Sequence, residues 1–285
     1  KRELGKGRVC VVAGFQGLAE NEDVTTLGSG GSDTTAVALS VALKAERCEI
    51  YTDVDGIYTT DPRLVPTARK LAEISYDEML EMASLGAKMN PRSIELAAVY
   101  DVPILVASTF EDVQGTLIHG GPQMMEIRRA VTGVAIDRDV AKITVRAVED
   151  RPGIVGLIFV PLAEAGVSVD VIVQNASLEG LTDVTFTVSR GDFQRALDLT
   201  KETCADFAQD VVGNTGLAKM SIVGTGMQNG PGYAATMFAA LSKVNVNIEM
   251  ITTSEIRITC VIDAGVIKEA ANALHSAFEL DAAGD

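Results

Sequence analysis

The fold is decided by the glycine-rich stretch Thr25-Thr26-Leu27-Gly28-Ser29-Gly30-Gly31-Ser32-Asp33-Thr34-Thr35-Ala36, which runs directly into the apolar segment Val37–Leu43. Glycines at 28, 30 and 31 allow a tight turn and leave backbone amides uncovered by side chains. Ser32 and Asp33 stand where a helix would begin, so its free N–H groups and positive end point into the loop. The stretch therefore predicts a site for an anion such as a phosphate or carboxylate.

The glycine-rich loop is a weak signal on its own, because such loops also serve only to turn a corner. Its spacing fits neither the Walker loop, which needs a following Gly-Lys-Ser/Thr, nor the dinucleotide-binding fingerprint. The functional interpretation therefore depends on residues further along the chain.

A second polar loop comes after a short predicted strand, Cys48–Thr52. It carries several acidic residues and, in addition, Tyr58 and Arg63. Ligands of open α/β sheets bind at loops beyond the carboxyl ends of strands. An aromatic ring, hydroxyl groups and a guanidinium suit a nucleotide and its phosphates. Lys88, after Leu85-Gly86-Ala87, adds a cation at another loop edge. Each feature alone fits a solvated loop better than a binding site, but together and in this order they favour a nucleotide site.

Composition limits the class of protein. The chain has 285 residues, of which 47% are hydrophobic, so there is enough apolar surface for two or three cores. No apolar run is long enough to span a bilayer and no secretory signal is seen, which favours the cytoplasm. A net charge of −15 argues against nucleic acids and membranes as partners.

The cysteines predict neither a metal site nor a disulfide. They are far apart and have no CxxC spacing; the four are Cys10, Cys48, Cys204 and Cys260. Each lies in an apolar segment, so we expect all of them to be small core residues in a reducing compartment.

The first part of the chain, up to about Gly121, alternates strands, loops and helices as an α/β layer does. Its predicted strands are Val9–Ala13, Glu49–Thr52 and Val102–Ala107, with a helix over 92–100. Gly120-Gly121-Pro122 breaks the pattern and predicts a boundary. Residues 123–140 are interpreted as a connector that includes a short strand over 131–136.

An internal repeat lies beyond the connector, with copies over 141–215 and 216–285. Each copy has the order β-α-β-β-α, which predicts a ferredoxin-like α+β module. Asp150-Arg151-Pro152-Gly153 in the first copy corresponds to Asn229-Gly230-Pro231-Gly232 in the second. The copies are either purely structural modules or ligand sensors. Polar residues at the strand-to-helix turn and at Gln174-Asn175 favour the sensors.

Three motifs resemble those of aspartate kinases, which belong to the amino-acid-kinase superfamily: Leu27–Thr35, Tyr51–Arg63 and Gly86-Ala87-Lys88. The two repeats resemble ACT domains, the small-molecule sensors attached to enzymes of amino-acid metabolism. Together these resemblances cover nearly the whole chain. They imply a partial amino-acid-kinase α/β sandwich over residues 1–122, followed by two α+β, ferredoxin-like ACT domains.

The resemblance also implies an activity, in which ATP with Mg²⁺ phosphorylates L-aspartate to 4-phospho-L-aspartate, the first step of lysine, threonine and methionine biosynthesis. The residues implied to bind the nucleotide are Thr52, Asp53, Tyr58, Arg63 and Lys88. Those implied to bind aspartate are Ser29, Ser32 and Asp33, while the amides of Gly30 and Gly31 would lie against the transferring phosphoryl group.

Regulation is implied as well. Lysine, threonine or both would act as effectors between the ACT modules, at Asp150, Gly153, Gln174, Asn175, Asn247 and Ile248. Pairing of ACT domains implies a homo-oligomer or a hetero-oligomer.

The chain departs from the family pattern in three ways. Its sequence has no strand with Lys-x-Gly-Gly, whose lysine binds phosphates, so we expect an N-terminally incomplete kinase that turns over poorly alone. Ser29 stands where the family usually has an arginine that pairs with the substrate carboxylate. Ala107 replaces a frequent arginine, and the histidine common after Lys88 is missing.

Two other functions stay open. One is a non-catalytic, amino-acid-binding regulatory subunit of an aspartate kinase. The other is a different amino-acid kinase, acting on acetylglutamate or a nucleotide, against which the two ACT-like repeats argue. Measuring lysine or threonine binding beside ATP turnover separates the three.

Overall fold

The computed structural model describes residues 1–87, 89–120, 130–175 and 180–282. Its strands form a two-stranded hairpin, a four-stranded sheet and a six-stranded sheet. No helix within these ranges has both the length and the apolar character that crossing a bilayer requires.

The first part of the chain builds the hairpin and the four-stranded sheet. Its strands are β1 (Gln16–Leu18), β2 (Val24–Thr26), β3 (Cys48–Thr52), β4 (Glu73–Ser75), β5 (Ile104–Ser108) and β6 (Thr116–His119). Its helices are α1 (Gly31–Leu43), α2 (Tyr76–Ser84) and α3 (Pro91–Tyr100). The four-stranded sheet has the order β3-β5-β6-β4, with β3 parallel to β5 and β4 parallel to β6. Its core includes the fully buried Ile74, Met79, Ile94 and Ile104.

Local sequence patterns predict several of these elements, and β3, β5 and α3 are confirmed. The predicted strand Val9–Ala13 is wrong. Val9 and Val11 are 94% and 98% exposed, and no described strand lies beside this segment. An apolar segment becomes a strand only when its N–H and C=O groups pair with a neighbour. The core position predicted for Cys10 is wrong for the same reason, whereas the other three cysteines are buried.

The second part of the chain builds the six-stranded sheet and covers it with helices. Its strands are β7 (Gly133–Glu149), β8 (Val169–Gln174), β9 (Leu181–Val188), β10 (Asp210–Val223), β11 (Met250–Thr253) and β12 (Arg257–Asp263). Its helices are α4 (Ile154–Glu164), α5 (Phe193–Cys204), α6 (Tyr233–Lys243) and α7 (Ile267–Ala277). The strand order is β11-β12-β10-β7-β9-β8, antiparallel throughout.

Two long strands, β7 and β10, belong to both modules. The end of β7 pairs with β9 and with the start of β10, whereas its beginning, 133–140, pairs with the end of β10. Each module therefore has four strands in ferredoxin-like order, and each receives its fourth strand from the other. The predicted α+β class is confirmed. The short strand expected over 131–136, within the segment 123–140 interpreted as a connector, is the beginning of β7, and residues 133–140 form a strand of the second module.

The repeat also produces two reciprocal ion pairs between the modules. Lys142 in the first module has its Nζ 2.5 Å from Glu249 Oε2 in the second. Lys219, at the equivalent position of the second module, bonds the carboxylate of Asp170 in the first and lies 3.4 Å from Asp137 Oδ2. Asp170 and Glu249 are themselves equivalent in the repeat, so each module's lysine binds the other's carboxylate.

The two edges of the six-stranded sheet approach each other. Val171 of β8 and Met250 of β11 stand at opposite ends of the strand order, yet both belong to one buried cluster with Val140, Leu217 and Val261. The sheet is therefore strongly curved, and its concave face is filled by side chains from both modules.

The second module packs directly on the first part of the chain. The fully buried Glu78 of α2 accepts hydrogen bonds from the hydroxyls of Thr132 (2.8 Å) and Thr225 (3.0 Å). Glu81, one turn further, pairs with Arg257 of β12 at 2.7 Å. The backbone N–H of Val134 donates to the Thr59 carbonyl at 2.7 Å. These contacts fix the loop after β3 and helix α2 against β7, β10 and β12.

We predict that Lys219→Met lowers the free energy of unfolding by about 1–3 kcal/mol, because Asp137 and Asp170 lose an almost fully buried cationic donor. Lys142→Met is the matched control and should cost only about 0–1 kcal/mol, since the Lys142 side chain is more exposed than that of Lys219 and its ion pair is with Glu249 alone among the described residues. Urea denaturation of both variants measures the difference. Equal losses would contradict the greater importance assigned to Lys219.

Candidate active site

The glycine-rich loop presents the open N-terminus of α1. Gly28 and Gly30 have φ angles of 83° and 73°, the left-handed region that favours glycine. Gly30 is the N-cap residue of α1 and no side chain caps the helix, so its first amides are not used by a side-chain cap. Ser32 and Asp33 lie in the first helical turn. This arrangement suits an anion at the loop.

Asn90, the N-cap residue of α3, holds the glycine-rich loop in place. Its Nδ2 donates to the Ser29 carbonyl at 2.9 Å, and its backbone N–H lies 3.4 Å from Asp33 Oδ2. A Cβ at Gly30 would come 2.8 Å from Asn90 Nδ2, so this approach requires glycine. Burial raises the pKa of Asp33, and the Asn90 amide opposes the rise only in part. The sequence signal for Asn90 was its place before Pro91 at the start of a helix.

A cavity of about 1180 Å³ lies beside the loop after β3. Of the residues predicted to bind the nucleotide, Asp53, Tyr58 and Arg63 line this cavity. Thr52 is not in the lining, but its hydroxyl donates to the Asp53 carboxylate at 3.0 Å. The structure thus brings the members of the second predicted loop together around one cavity.

Lys88 lies outside the described residues, and its neighbours connect the cavity with the glycine-rich loop. Leu85, Gly86 and Ala87 line the cavity, while Asn90 binds the loop. The two predicted anion-binding regions are therefore joined by one short segment after α2.

Fixed charges surround Tyr58. Its hydroxyl donates to Asp55 Oδ1 at 3.0 Å, and Lys70 Nζ lies 3.0 Å from Asp55 Oδ2. Burial acts to raise the pKa of Asp55, but the hydrogen bonds from Lys70 and Tyr58 together outweigh it and leave that pKa below its ordinary value. The pKa of Tyr58 is raised, first by burial and then by its bond to Asp55. The ring is thus held as a neutral phenol at the cavity wall.

Arg63 is bound by a neighbour within its own loop. Its Nε and Nη2 donate to the two carboxylate oxygens of Asp61 at 2.9 and 2.8 Å, which lowers the pKa of Asp61. The Arg63 side chain is 85% exposed. A phosphate group at this position would share the Arg63 guanidinium with Asp61.

The opposite wall of the cavity comes from the six-stranded sheet. The lining continues through Val134, Ala135, Ile136, Asp137, Arg138 and Asp139 of β7. The sequence predicted a short strand over 131–136 within the connector, but it did not indicate that this segment lines the cavity, because its pairing with β10 is a long-range contact.

The predicted effector residues fall into two groups. Asp150 donates its backbone N–H to the Gly180 carbonyl, and the Asn175 carbonyl accepts the Thr182 hydroxyl. Gly180 and Thr182 are the two neighbours of Leu181, which pairs with Glu149. Asp150 and Asn175 therefore lie together at one end of the first module, the end at which β8 finishes with Gln174.

The second group lies in the other module. Asn247 and Ile248 precede β11, and Ile248 packs against the core beneath α6 and α7. The structure thus places four of the predicted effector residues at one end of the first module and two on the strand entrance of the second.

Both modules start their first helix with the same open turn. Gly153 has a φ angle of 91° before α4 and Gly232 has 107° before α6, and neither helix has a side-chain cap. Asp150, which lies three residues before the N-cap residue Gly153, therefore does not cap α4.

Comparison with known proteins bears on both halves of the chain. A family model of the Amino acid kinase family matches residues 1–108, and one of the ACT domain matches residues 220–278. The aspartokinase of Pseudomonas aeruginosa is 50% identical over 285 residues, which cover 99% of this chain and 69% of that protein. The chain belongs to the aspartate kinase family. The resemblance inferred from the sequence motifs is confirmed.

Solved structures of aspartate kinases share the fold. E. coli aspartokinase III in complex with aspartate and ADP matches with a TM-score of 0.78 and 31% identity, over 93% of this chain and 59% of that one. The same enzyme in complex with lysine and aspartate matches with a TM-score of 0.72 and 30% identity, over 92% of this chain and 58% of that one. The regulatory subunit of aspartate kinase from Thermus thermophilus matches with a TM-score of 0.50 and 40% identity, over 52% of this chain and 99% of that subunit.

We predict that Gly30→Ala lowers the free energy of unfolding more than Gly28→Ala does. Both substitutions place a side chain at positive φ, which costs about 1–2 kcal/mol. Only the Gly30 methyl group meets Asn90; the space at Gly28 is open, so Gly30→Ala should cost roughly 1–3 kcal/mol more. Thermal and urea unfolding measure both variants, and equal costs would refute the contact with Asn90.

Proposed function

We propose that the protein carrying this chain is an aspartate kinase, which transfers the γ-phosphoryl group of ATP to the side-chain carboxylate of L-aspartate. The observation that carries the proposal is the 50% identity to an aspartokinase along 99% of the chain. The cavity supports it, because Asp53, Tyr58 and Arg63, the residues expected to bind the nucleotide, line it together.

Each described residue then has a role that its chemistry allows. Arg63 holds a phosphate through its planar guanidinium, and Tyr58 packs its neutral ring against the nucleoside. The backbone amides at Gly30 and Gly31 lie where they would stabilise charge on the transferring phosphoryl group, although the Gly31 N–H already donates to the Gly28 carbonyl at 3.0 Å and would have to share that bond. Asp33 accepts hydrogen bonds from the ammonium group of aspartate. Most of the catalysis is alignment and charge stabilisation, since phosphoryl transfer needs little covalent help.

Mg²⁺ enters this proposal as part of the nucleotide. No group of three or more His, Cys, Asp or Glu side chains in the described ranges is arranged to hold a metal ion. Carboxylates nevertheless line the cavity, among them Asp53, Asp55 and Asp61, and one or two carboxylates with substrate phosphates are the usual ligands of Mg²⁺. Bound there, the ion would neutralise phosphate charge.

Aspartate binding here differs from the family pattern at one position. Ser29 replaces the usual arginine, and its carbonyl is already used by Asn90. A serine hydroxyl cannot form a bidentate ion pair with a carboxylate. We therefore infer that aspartate is held more by Asp33, Ser32 and the helix N-terminus than by an ion pair at Ser29.

We also propose that the ACT pair binds lysine, threonine or both, and that it assembles into oligomers. The helices behind Gly153 and Gly232 have N-termini without side-chain caps, which suit the α-carboxylate of an amino acid. Gln174 and Asp150, at the same end of the first module, would read a polar side chain. A ligand that prefers one packing of the modules would change the kinase through the contacts of Glu78 and Thr59.

A regulatory subunit is the second candidate function, supported by the match to 99% of the Thermus thermophilus subunit. That match covers 52% of this chain. The Amino acid kinase match over residues 1–108 and the nucleotide cavity favour the enzyme.

We predict that the protein carrying this chain forms aspartyl phosphate, trapped as its hydroxamate, and that Asp33→Asn raises the KM for aspartate by about 10–100-fold. The exposed Asp77→Asn is the control and should change nothing. Hydroxamate formation without aspartate, or an unchanged KM in Asp33→Asn, would count against the proposal.

A pH dependence is expected from the raised pKa of Asp33. The ionised carboxylate is lost as the pH falls, and this loss begins at a higher pH than for an exposed aspartate. We therefore expect the KM for aspartate to rise on the acidic side in the wild type but not in Asp33→Asn. A rise of the same size in both would show that Asp33 is not the titrating group.

Effector binding has its own test, calorimetric titration of the chain with lysine and with threonine. Gln174→Ala should weaken the binding of at least one of them by about tenfold, because a hydrogen bond to the ligand is lost. Gln194→Ala is the matched control, because Gln194 is an exposed glutamine on α5 whose side-chain amide donates to Asp198. If neither ligand binds, or if both variants bind as the wild type does, the sensing site is wrong.

A further inference from the structure

A β-bulge in β7 lies at the wall of the nucleotide cavity. In the register of the two strands, Asp137 lies opposite Lys219 and Val140 lies opposite Leu217. An advance of three residues along β7 therefore matches an advance of two residues along β10. The extra residue falls at Arg138–Asp139. A bulge bends its strand and redirects a side chain, and bulges often lie beside active sites.

The two carboxylates that flank Arg138 are bound within the regulatory sheet. Asp137 Oδ1 accepts the Asp139 N–H at 2.8 Å, and its Oδ2 lies 3.4 Å from Lys219 Nζ. Asp139 Oδ1 accepts the backbone N–H of Arg190 at 2.8 Å. The bulge is therefore held on both sides, and its geometry does not depend on Arg138.

Arg138 itself is exposed and lines the cavity. Its guanidinium forms no hydrogen bond with any residue in the described ranges, and its electrostatic neighbour is Asp61. Asp61 is already engaged through both oxygens by Arg63. Among the residues that the structure describes, Arg138 is therefore a cation at the cavity wall whose donors are not engaged.

The cavity lining carries more carboxylates than cations, and this excess makes the Arg138 guanidinium important for binding an anionic ligand. The described lining contains two guanidinium groups, from Arg63 and Arg138, and six carboxylates: Asp53, Asp55, Asp61, Glu111, Asp137 and Asp139. A polyanionic ligand entering such a site is repelled unless cations face it. Since Arg63 shares its donors with Asp61, Arg138 has the larger unused capacity for a phosphate.

We propose that Arg138 binds the phosphates of the nucleotide, so that the regulatory sheet supplies a cation to the nucleotide site of the kinase. This inference rests on the proposed function. A guanidinium fork matches two phosphate oxygens, which suits this role better than a lysine would. Because β7 also carries the first module, any change in how the modules pack alters the position of Arg138 against the phosphates.

The test compares Arg138→Ala and Arg138→Lys in the protein that carries this chain. Steady-state kinetics give separate KM values for ATP and aspartate, and calorimetry gives affinities for ADP and for adenosine. Arg138→Ala should raise the KM for ATP and weaken ADP binding by about tenfold or more, with adenosine affinity and the KM for aspartate unchanged. Arg138→Lys should recover part of the loss.

Arg195→Ala is the matched control, because Arg195 is an exposed arginine on α5 and does not line the cavity. It should change neither affinity. Equal weakening of ADP and adenosine, or unchanged ADP binding in Arg138→Ala with wild-type thermal stability, would overturn the role of Arg138. A wild type that binds ADP but does not phosphorylate aspartate would contradict the proposed function and would leave the test of Arg138 valid.

Discussion

The two parts of this protein depend on one buried carboxyl group, that of Glu78. Its oxygens accept from the backbone and hydroxyl of Ser75, from the hydroxyl of Thr132, and from the backbone and hydroxyl of Thr225. A fully buried carboxylate is stable only when such donors surround it. The same group therefore starts α2 and fastens it to the second ACT module. The far end of α2 lines the cavity beside the loop after β3.

The sequence predicts well the features that are determined by neighbours along the chain. Gly28 and Gly30, with Ser32 and Asp33 behind them, identify a loop and a helix start through local backbone chemistry, and both are present. Tyr58 and Arg63 come from one loop, so their meeting at one cavity is expected once β3 is predicted. Ser75 and Glu78 have the spacing of a capping box, a local signal that would have located the start of α2 but not the contacts with Thr132 and Thr225.

The features that the sequence does not predict depend on distant pairing. Val9 and Val11 have the pattern of a strand, yet a strand needs a partner, and none of the described strands provides one. In β7 the sequence predicts a short strand over 131–136, but it places residues 133–140 in a connector and not in a module, because their partner, the end of β10, lies far along the chain. Arg138 was missed with them. The role proposed for it depends on a bulge whose register can be known only when both strands are placed.

The exchange of strands between the ACT modules has a consequence for synthesis on the ribosome. Residues 133–140 emerge early, but their partner in β10 appears only after the helices and strands of the first module have been made. The first module in turn lacks its fourth strand until the start of β10 has emerged. Neither module can be completed as an independent unit, so the pair closes late and as one cooperative body. Until then the edges of both sheets stay open to pairing with other chains.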